Sequence, residues 1–509
     1  MNLVELADEN YREFGEYPVV VFEEREYTNL QMLVYARKLA NGLRGLGIGP
    51  GPGDRVVVLL LNCPEVLISY QGILRAGGII VPVMFRLEAG EIAHILDNSG
   101  AAAIITGKDL VPKVDAARKD ISSLRHIVII EDDQVPGTVN FWPLIAASPD
   151  DPIPVDIKED DLAVILYTAG TTGTPKGVML LHRNLYSNAV SSAAAGDPET
   201  RRGNGLCILP LAHSFGLTVM NIMYKYGNLT VMMRWFDIEE VFRLIEKYKV
   251  RGFAGVPAMF AMMLNSPAAG KYDLSSLKAC ASGSAPLPVE VLMAFEKKFN
   301  CTVREGYGLS EAAPVVSTQF YNRVKKPGSI GTPIDEVDVR IVDGNDRDLP
   351  VGEIGELIVR GPNISPGYYK LPGETAETFK NGWLYTGDMA KMDEDGCLYI
   401  VERKKDLVIR GGFNIYPRDI EEVLHKHPGV LDAAVIGVPD PVMGEEVEAF
   451  IVLREGCEAG EQELLAHCRQ YLAKFKCPRR INFTSLIPRN AIGKILRKEL
   501  RRLRSEGNP

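Results

Sequence analysis

The feature that most restricts the fold of this chain is a repeated alternation of short, β-branched apolar runs with helical stretches. Arg55–Leu61 reads RVVVLLL and Gly78–Val83 reads GIIVPV, whereas Asn29–Leu46 and Glu88–Asp97 are helical in pattern. Continuous apolar runs of this kind are typical of strands buried on both faces of a parallel sheet. The alternation therefore predicts an α/β architecture with largely parallel sheets. Further strands are predicted at Ala102–Thr106, His126–Glu131, Phe253–Val256, Ala279–Ser282 and Thr302–Glu305.

The chain is long enough to need more than one domain. Its 509 residues exceed the size at which a single hydrophobic core keeps growing. Helices become scarce from Pro327 to Ile400, which indicates a β-rich subdomain, and the charged segment VERKKDLVIRGG follows at Val401–Gly412. We predict a boundary at Arg403–Asp406. It divides a large domain of stacked, mostly parallel sheets with helices (residues 1–403) from a small α+β domain (residues 404–509).

Composition and charge exclude several classes of protein. The net charge of −9 argues against general nucleic-acid binding. No segment approaches the roughly 18 apolar residues of a transmembrane helix, and the acidic N-terminus lacks a signal-peptide pattern. Eight cysteines without a CxxC pair indicate reduced structural thiols in a cytoplasmic protein and no zinc site. The basic run Lys474–Arg504 is either a solvated face or a surface that meets an anionic ligand or, weakly and peripherally, an anionic membrane.

The segment Ile165–Leu180, ILYTAGTTGTPKGVML, carries the strongest chemical signal. An apolar strand leads into a loop rich in glycine and threonine that ends near Lys176. Backbone N–H groups made accessible by glycine, threonine hydroxyls and one ammonium group suit a polyphosphate. Pro175 and Gly177 stand where a Walker A loop needs Gly and Ser or Thr, so the loop is of another kind. A Gly/Thr-rich hairpin turn without a ligand is the alternative.

Other segments add chemistry that is weak when each is taken alone. LPLAHSFGL places His213 in an apolar turn, where a packed core histidine is the alternative. ASGSAPL is small enough for the close approach of a planar ligand. EGYGLSEAAP brings Tyr307, Ser310 and Glu311 into one turn, which offers a stacking face, a hydroxyl donor and a hard oxygen for Mg²⁺. WLYTGD ends in Asp388, a carboxylate suited to ribose hydroxyls.

Taken together, the motifs resemble those of one enzyme superfamily. PRNAIGKILRKEL presents Lys494 in a loop before a basic helix, and YTAGTTGTPKG, GYGLSE, YTGD and RKKD precede it in this order. This set, spread from about Leu6 to Arg502, resembles the adenylate-forming superfamily of acyl-CoA synthetases, peptide-synthetase adenylation domains and luciferases. The resemblance implies a two-step reaction. A carboxylate attacks the α-phosphate of MgATP, and a thiol then displaces AMP from the acyl-adenylate.

The resemblance also implies a role for each motif residue. Tyr307 would stack on adenine, and Asp388 with Arg403 would bind the ribose. Ser310 would donate to the α-phosphate, and Glu311 would bind Mg²⁺. The implied catalytic residues are Lys494, His213, Ser310 and Glu311. The implied ATP- or AMP-binding residues are Thr168, Gly170, Thr171, Thr172, Gly173, Thr174, Lys176, Gly283, Ser284, Ala285, Pro286, Glu305, Gly306, Tyr307, Gly308, Ser310, Asp388 and Arg403.

The resemblance further implies that the small domain moves. Lys405 would be the hinge, and Lys494 would contact the carboxylate and the α-phosphate in the first step. A different face, with Arg410, Gly411 and Gly412, would then bind coenzyme A.

The chain departs from the family pattern at three positions. Ala169 replaces a serine of the phosphate loop and removes one hydroxyl donor. Ser310 replaces a threonine and keeps the hydroxyl. Glu402 replaces the glycine that usually precedes the ribose-binding arginine, and we expect this to be a surface change.

The acid pocket that the resemblance implies is apolar. HSFGL, residues 213–217, contains no acid that could pair with an amino group, which disfavours amino acids. A second carboxylate would be buried without a partner, which disfavours dicarboxylates. A medium- or long-chain fatty acid is the first choice, and an aromatic or alicyclic acid is the alternative. The implied pocket residues are His213, Phe215, Gly216, Met259, Gly283 and Gly308.

Coenzyme A is the predicted thiol, because the sequence contains no Asp-Ser carrier attachment segment. A ligase that stops at the acyl-adenylate or serves a separate carrier protein is one alternative, and a luciferase-like oxidase is a second one within the family. A degenerate nucleotide- or acyl-binding protein is another. The predicted ligands are the carboxylic acid, ATP with Mg²⁺, and coenzyme A, and a homodimer is left open.

Overall fold

A sheet with a parallel centre forms one half of the N-terminal part of the molecule. The computed structural model describes residues 2–49, 53–168, 175–489 and 495–505. The strands of this first sheet are β1 (Pro18–Phe22), β2 (Arg25–Thr28), β10 (Asn204–Cys207), β11 (Leu229–Met232), β12 (Gly252–Gly255), β13 (Ala279–Ser282), β14 (Thr302–Gly308), β15 (Val315–Thr318) and β16 (Thr332–Pro333). They lie in the order β16-β15-β14-β13-β12-β10-β11-β1-β2. The strands from β14 to β1 are parallel, and antiparallel strands close both edges.

A second, mostly parallel sheet forms the other half. Its strands are β3 (Arg55–Leu59), β4 (Ile79–Pro82), β5 (Ala103–Thr106), β6 (His126–Ile129), β7 (Val139–Asn140), β8 (Leu162–Thr168), β9 (Lys176–Leu181) and β19 (Gly367–Tyr368). Their order is β19-β9-β8-β4-β3-β5-β6-β7, and only β9 and β19 break the parallel pattern. Val56 and Val58 face the core shared with the first sheet, whereas Val57 and Leu59 face the opposite side. Burial on both faces explains why these strands read as continuous apolar runs.

Helices fill the space between the sheets and cover their outer faces. The helices are α1 (Glu5–Phe14), α2 (Asn29–Gly45), α3 (Pro64–Arg75), α4 (Ala89–Ser99), α5 (Val111–Ala117), α6 (Phe141–Ala147), α7 (His182–Ala195), α8 (Ser214–Tyr226), α9 (Ile238–Tyr248), α10 (Pro257–Asn265), α11 (Val289–Phe299), α12 (Pro372–Thr378), α13 (Pro417–His425), α14 (Glu461–Tyr471) and α15 (Arg497–Ser505). Helices α2, α3, α7 and α8 pack in the core between the sheets. Helices α9 to α11 pack on the outer face of the first sheet, and α4 and α5 on that of the second.

Two smaller sheets follow along the chain. An antiparallel sheet contains β17 (Asp338–Val342), β18 (Gly355–Arg360), β20 (Phe379–Lys380), β21 (Trp383–Met392) and β22 (Leu398–Arg403). The last sheet contains β23 (Val408–Arg410), β24 (Phe413–Ile415), β25 (Val430–Asp440), β26 (Gly444–Leu453) and β27 (Arg480–Phe483). It has its own core with α13 and α14. We call residues 404–505 of the described chain the C-terminal unit.

The predicted fold class is confirmed, with differences at the ends of elements. The predicted strand over Ala279–Ser282 has those bounds in the structure. Strand β14 continues to Gly308, three residues past the predicted end, because Gly306 to Gly308 pair with β15. The predicted boundary at Arg403–Asp406 lies between the last strand of one sheet and the first strand of the next. None of the helices in the described ranges has the length and apolar character needed to cross a bilayer.

Candidate active site

A cavity of about 1250 Å³ runs along the first sheet on the face that packs against α7 and α8. It extends from Asn204 and Arg251, at the amino ends of β10 and β12, to Gly283 and Gly308, at the carboxyl ends of β13 and β14. Open α/β sheets bind their ligands at the carboxyl ends of the strands. The volume exceeds the roughly 300–1,000 Å³ of ordinary small-molecule pockets. The cavity therefore has room for a nucleotide and a second, elongated ligand.

The glycine- and threonine-rich segment connects two paired strands. Thr168 at the end of β8 pairs with Lys176 at the start of β9 in an antiparallel ladder, so the segment closes a hairpin. Thr168 also lines the cavity, and the ammonium group of Lys176 lies 5.3 Å from the ring centroid of Tyr368. A hairpin connection and a phosphate-binding loop are therefore compatible at this place. The remaining residues of this motif, Ala169, Gly170, Thr171, Thr172, Gly173 and Thr174, lie outside the described residues.

Three of the predicted nucleotide-binding residues form one network. The Tyr307 hydroxyl donates to Asp388 Oδ2 at 2.5 Å, and Arg403 Nε lies 3.1 Å from Asp388 Oδ1. Asp388 and Arg403 are direct partners in the ladder between β21 and β22, and Asp388 is only 3% exposed. Burial, followed by the charge of Asp388, raises the pKa of Tyr307 well above its usual value, so the phenol remains a donor. The network fixes an aromatic ring and a guanidinium group at one end of the cavity. We call this end, lined by Tyr307, Gly308 and Arg403, the nucleotide end, because the predicted nucleotide-binding residues lie there.

At the carboxyl ends of β13 and β14, small residues allow the backbone to approach a ligand closely. A Cβ atom on Gly308 would lie 2.3 Å from the carbonyl oxygen of Pro314, so no side chain fits there. A Cβ atom on Gly283 would lie 3.2 Å from the ring of Phe215. Ser284 adopts φ of +70°, in the left-handed region. Among the small predicted residues, Gly283, Ser284, Gly306 and Gly308 line the cavity, whereas Ala285 and Pro286 do not. Glu305, next to Gly306, does not line it either.

Glu305 supports the loop that follows β13. Its carboxylate accepts the backbone N–H groups of Leu287 at 3.4 Å and Gly328 at 3.2 Å. Burial raises the pKa of this carboxyl group. Glu305 thus holds two backbone segments together beneath the nucleotide end of the cavity.

Glu311 is held by a tyrosine that the motifs did not identify. Ser310 and Glu311 lie in a short 3₁₀ turn after β14, and both line the cavity. The Tyr368 hydroxyl donates to Glu311 Oε1 at 2.8 Å. Burial, followed by the charge of Glu311, raises the pKa of Tyr368, so it too remains a donor. Tyr368 uses one carboxylate oxygen, and the other can accept a cation.

Magnesium fits this carboxylate when phosphate oxygens complete its coordination. The described ranges contain no group of three or more His, Cys, Asp and Glu side chains that could hold a metal ion by themselves. Mg²⁺ is commonly bound by one or two carboxylates together with substrate phosphates and water. Glu311 is suited to that mode of binding.

His213 caps the N-terminus of α8. Its Nδ1 accepts the backbone N–H of Phe215 at 3.2 Å, which assigns the ring proton to Nε2. Burial lowers the pKa of His213 to about 4, so the ring is neutral at pH 7. His213 and Phe215 line the cavity. Gly216 is buried where a Cβ atom would lie 2.1 Å from the carbonyl oxygen of Pro210, so it serves the tight start of the helix.

Small side chains form the long part of the cavity. Phe253 and Cys280 are buried among α9 to α11, whereas Ala254 and Ala281 line the cavity and remain accessible. Interior strands of a parallel sheet are ordinarily buried on both faces. Because every second residue of these strands remains accessible, the face of the first sheet toward α7 and α8 is not covered by packed side chains. The row of these accessible residues, which we call the small-residue row, consists of Gly205, Gly252, Ala254, Ala279, Ala281 and Gly306.

The long part of the cavity is a groove between the small-residue row and α8. Its wall on α8 is apolar, and its end farthest from the nucleotide end is polar. Val219, Met220, Ile222 and Met223 of α8 line the groove along the small-residue row. Met259, predicted for the pocket, instead packs against the core on the outer face of the sheet. The far end is lined by Asn204, Asn228, Arg251 and Arg304. The two arginines lie outside the wall that the motifs indicated, so the argument that disfavours a second carboxylate applies only to the middle of the groove.

The C-terminal unit faces the nucleotide end of the cavity. Arg489 and Ile495 form an antiparallel bridge, and both line the cavity. Lys494 lies outside the described residues, but Arg489 and Ile495, which stand on either side of it in the sequence, both line the cavity. Lys405, the predicted hinge, lies between β22 and β23 and also lines the cavity. Burial lowers the pKa of Lys405.

The predicted coenzyme A residues lie elsewhere on the C-terminal unit. Arg410, Gly411 and Gly412 form the turn between β23 and β24 and do not line the cavity. A Cβ atom on Gly412 would meet nothing within 4 Å, so this turn is open on one side. Arg410 Nε lies 3.0 Å from Glu446 Oε2, and its Nη1 donates to the carbonyl oxygen of Phe475 at 2.8 Å.

The expectation for Glu402 was wrong. This residue is not at the surface but buried, with 6% of its area exposed. Its strand, β22, packs against α13 of the C-terminal unit. A position that the sequence alone marks as an irregular surface residue therefore lies at the contact between the two parts of the molecule.

Comparison with known proteins identifies the family. The model of the AMP-binding enzyme family matches residues 7–369, and the model of the AMP-binding enzyme C-terminal domain matches residues 419–494. The chain therefore belongs to the AMP-binding enzyme family.

Curated relatives define the type of enzyme within this family. The long-chain-fatty-acid–CoA ligase of Bacillus subtilis (strain 168) is 40% identical over 516 residues, which cover 96% of this chain and 92% of the relative. A feruloyl-CoA synthase of an Amycolatopsis species is 36% identical over 468 residues, which cover 91% of both chains. The protein is an AMP-forming acyl-CoA synthetase.

Solved structures share the whole fold. The anthranilate CoA ligase AuaEII in complex with anthranoyl-AMP aligns with a TM-score of 0.93 at 27% identity, covering 100% of this chain and 98% of the other. ATP-bound MatB from Rhodopseudomonas palustris aligns with a TM-score of 0.90 at 29% identity, and the apo form of MatB with 0.79, each covering 100% of both chains. The arrangement described above is thus closer to the ATP-bound than to the apo form of that relative.

Proposed function

We propose that this protein joins medium- or long-chain fatty acids to coenzyme A. The small-residue row carries the proposal, because it leaves an apolar groove that leads away from the nucleotide end of the cavity. Between Ala279 and Gly283 the chain advances about 13 Å, at roughly 3.3 Å per strand residue. An extended acyl chain can lie along this length with its carboxylate between Gly283 and Gly308. The names of the fatty-acid ligase relatives support the same substrate class.

An aromatic or alicyclic acid is the second candidate. The ring of Phe215 lies against Gly283, where a substrate ring could stack on it. The feruloyl-CoA synthase relative supports this candidate. A compact ring would leave most of the apolar groove in contact with water, which favours the fatty acid.

The first step must bring two anions together, the carboxylate and the α-phosphate. We propose that Lys494 and Ser310 offset the negative charge that develops at phosphorus, and that the loop between Thr168 and Lys176 holds the leaving pyrophosphate. When bound at Glu311 with phosphate oxygens, Mg²⁺ would neutralise further charge. His213, being neutral, can orient the carboxylate through its Nε2–H.

The second step needs a different face of the C-terminal unit. We propose that the unit turns about Lys405 and brings the turn Arg410–Gly412 to the cavity. Open space at Gly412 would admit the pantetheine arm of coenzyme A. The thiolate sulfur then forms a bond to the acyl carbon, the bond from that carbon to the phosphate oxygen breaks, and AMP leaves.

We also propose a cytoplasmic location. All eight cysteines are free, as expected in a reducing compartment. Several basic residues of the run Lys474–Arg504 pair with acids of the same unit, among them Arg497 with Glu421 and Arg504 with Glu448. Internal pairing of this kind leaves a weak peripheral membrane contact as the most that this run would support.

The test is a panel of saturated fatty acids from hexanoate to stearate, together with benzoate and ferulate, assayed by coenzyme A-dependent AMP release. We expect AMP and pyrophosphate as products and the highest kcat/KM for a fatty acid. ADP and phosphate as products would refute the proposal, and a preference for benzoate or ferulate would favour the second candidate. Adenylate formation without coenzyme A-stimulated turnover would indicate a ligase that serves a carrier protein.

Lys494→Ala separates the two steps. This variant should bind ATP and lose adenylation, while still converting supplied acyl-AMP and coenzyme A to acyl-CoA. Equal loss of both half-reactions would contradict the proposed movement of the C-terminal unit.

A further inference from the structure

Glu402 joins two backbone segments on either side of the proposed hinge. Its Oε1 accepts the backbone N–H of Arg403 at 2.9 Å, and its Oε2 accepts that of Arg418 at 3.1 Å. Arg403 ends β22 of the N-terminal part, whereas Arg418 lies in the first turn of α13 of the C-terminal unit. Lys405 lies between them in sequence. One buried carboxylate therefore bridges the two parts of the molecule.

A guanidinium group from α15 meets the same carboxylate. Arg497 Nη2 lies 3.7 Å from Glu402 Oε2 and 2.7 Å from Glu421 Oε1, and its Nη1 lies 3.9 Å from Asp406 Oδ2. The Arg497 side chain is 14% exposed, so water screens these charges only partly. Arg497 follows Ile495, which lines the cavity, by two residues. The cluster thus connects β22 to the flank of the loop that carries Lys494.

We propose that Glu402 is a positioning residue that docks the C-terminal unit with Arg489 and Ile495 at the cavity, and that this contact breaks before the turn Arg410–Gly412 can reach the site. This role rests on the proposed function. Arg418 and Arg497 move with the C-terminal unit, whereas Glu402 stays with β22, so a rotation at the hinge separates them. A glycine at this position could make neither contact.

The charges around Glu402 make docking sensitive to pH. Glu421 on α13 and Asp406 after the hinge add negative charge, and Arg497 on α15 adds positive charge. Arg501, also on α15, places its Nη2 4.0 Å from Asp406 Oδ1. Burial, together with repulsion from these two acids, raises the pKa of Glu402 to about 7 in spite of Arg497. A carboxyl group released to water has a lower pKa, so the docked state binds the proton more tightly. Docking therefore weakens as the pH rises from about 4.3, the ordinary pKa of a glutamate, to about 7, and it changes little above pH 7.

Energy transfer between two fluorescent labels tests docking without reference to activity. Cys457 in the C-terminal unit is exposed and the other cysteines are buried, and Val324 in the N-terminal part is 79% exposed. Labels on Cys457 and on a Val324→Cys substitution report the orientation of the unit. In the ligand-free protein, we expect Glu402→Gly to move the efficiency of energy transfer away from the value of the docked wild type. Asp338→Asn, which removes the exposed pair with Arg360 on the same sheet, should leave it at the wild-type value.

Half-reactions then separate positioning from folding. Glu402→Gly should lower acid-dependent ATP–pyrophosphate exchange about tenfold, as expected for lost hydrogen bonds to a charged group. The reaction of supplied acyl-AMP with coenzyme A should be unchanged or faster. Equal loss of both half-reactions, or unchanged energy transfer, would overturn the proposal.

The pH profile supplies a second, independent measurement. The wild-type docked fraction should fall as the pH rises from about 5 to 7 and level off above pH 7, because only the docked state holds the Glu402 proton in that range. In Glu402→Gln this pH dependence should be absent, even though its amide can accept only one of the two N–H groups. A wild-type profile that the Gln variant retains would refute the role of Glu402. If the wild type exchanges pyrophosphate with no acid, the proposed function fails, and energy transfer still tests docking.

Discussion

The two ends of the cavity are built by opposite means. At the nucleotide end, polar groups hold one another, as Asp388 does between Tyr307 and Arg403. Along the groove, Ala254 and Ala281 contribute mainly by being small. Activity should therefore be lost when a polar group of the nucleotide end is removed, because the partners of that group are left unpaired. Binding of the acyl chain in the groove should be lost when a larger side chain is introduced, because that side chain fills the space of the acyl chain.

The largest effect is expected for Asp388→Ala. The change removes the acceptor of the Tyr307 hydroxyl and the counter-charge of Arg403. We expect ATP–pyrophosphate exchange to fall about 10³-fold, or roughly 4 kcal/mol, because the buried Asp388 carboxylate holds both the Tyr307 hydroxyl and the half-buried Arg403. Nucleotide affinity and melting temperature should be measured together with the exchange rate, so that loss of binding is separated from loss of fold. A folded variant with unchanged ATP affinity would show that this network does not bind the nucleotide.

A smaller but selective effect is expected for Ala281→Leu. The added side chain enters the groove, so kcat/KM for a long-chain acid should fall about 100-fold, near the upper range for overpacking. Butyrate, whose chain would end before Ala281 at roughly 3.3 Å per strand residue from Gly283, should be little affected. Ala194→Leu adds the same volume on an exposed position of α7 and serves as the control. Equal losses for short and long acids would mean that the acyl chain lies elsewhere.

The layered α/β fold was predictable because its strands are buried on both faces. Such strands read as continuous apolar runs, and residues such as Val56 to Leu59 have no exposed side that could interrupt the pattern. The ends of strands were less predictable. β14 extends to Gly308 because of pairing with β15, which is a tertiary contact and not a local preference.

Motif residues were predictable where a short segment carries the chemistry, and supporting residues were not. Tyr368 reaches Glu311 only because β19 pairs with β9, and its own segment, SPGYYK, has no chemical signature. The burial of Glu402 depends on the packing of α13 against β22, which no local pattern reveals. A partial signal for the small-residue row existed, since GFAG at β12 and ACAS at β13 place small residues at alternate positions. Whether that face is filled depends on the distance to α8.

A third effect, about tenfold, is expected for Tyr368→Phe, because a hydrogen bond to a charged acceptor is lost while the ring remains. Glu311 would keep its position less well, so the Mg²⁺ concentration for half-maximal exchange should rise. The neighbouring Tyr369→Phe is the matched control, since the Tyr369 ring lies under Lys370 and not at Glu311. An unchanged Mg²⁺ dependence would separate Tyr368 from metal binding.

The smallest effect is expected for His213→Gln, which lies where the two ends of the cavity meet. The amide can accept the N–H of Phe215 and still donate toward the cavity, so the rate should fall only a few-fold, in keeping with one neutral hydrogen bond. Because burial lowers the pKa of His213 to about 4, protonation opposes folding. His213 therefore lowers the free energy of unfolding as the pH falls from about 6.5 toward 4. Above about pH 6.5 it does not change the free energy of unfolding.

Melting temperatures at pH 5 and pH 7 check this sign. The wild type should lose more stability on acidification than the Gln variant, whereas their pH–rate profiles between about pH 6 and pH 8 should coincide, since a neutral His213 does not titrate there. A rate limb near pH 6.5 that disappears in the Gln variant would instead make His213 an acid–base group. His213, at the point where the groove meets the nucleotide end, would then act through its charge, as the residues of the nucleotide end do. The contrast between the polar nucleotide end and the groove of small residues would be weaker.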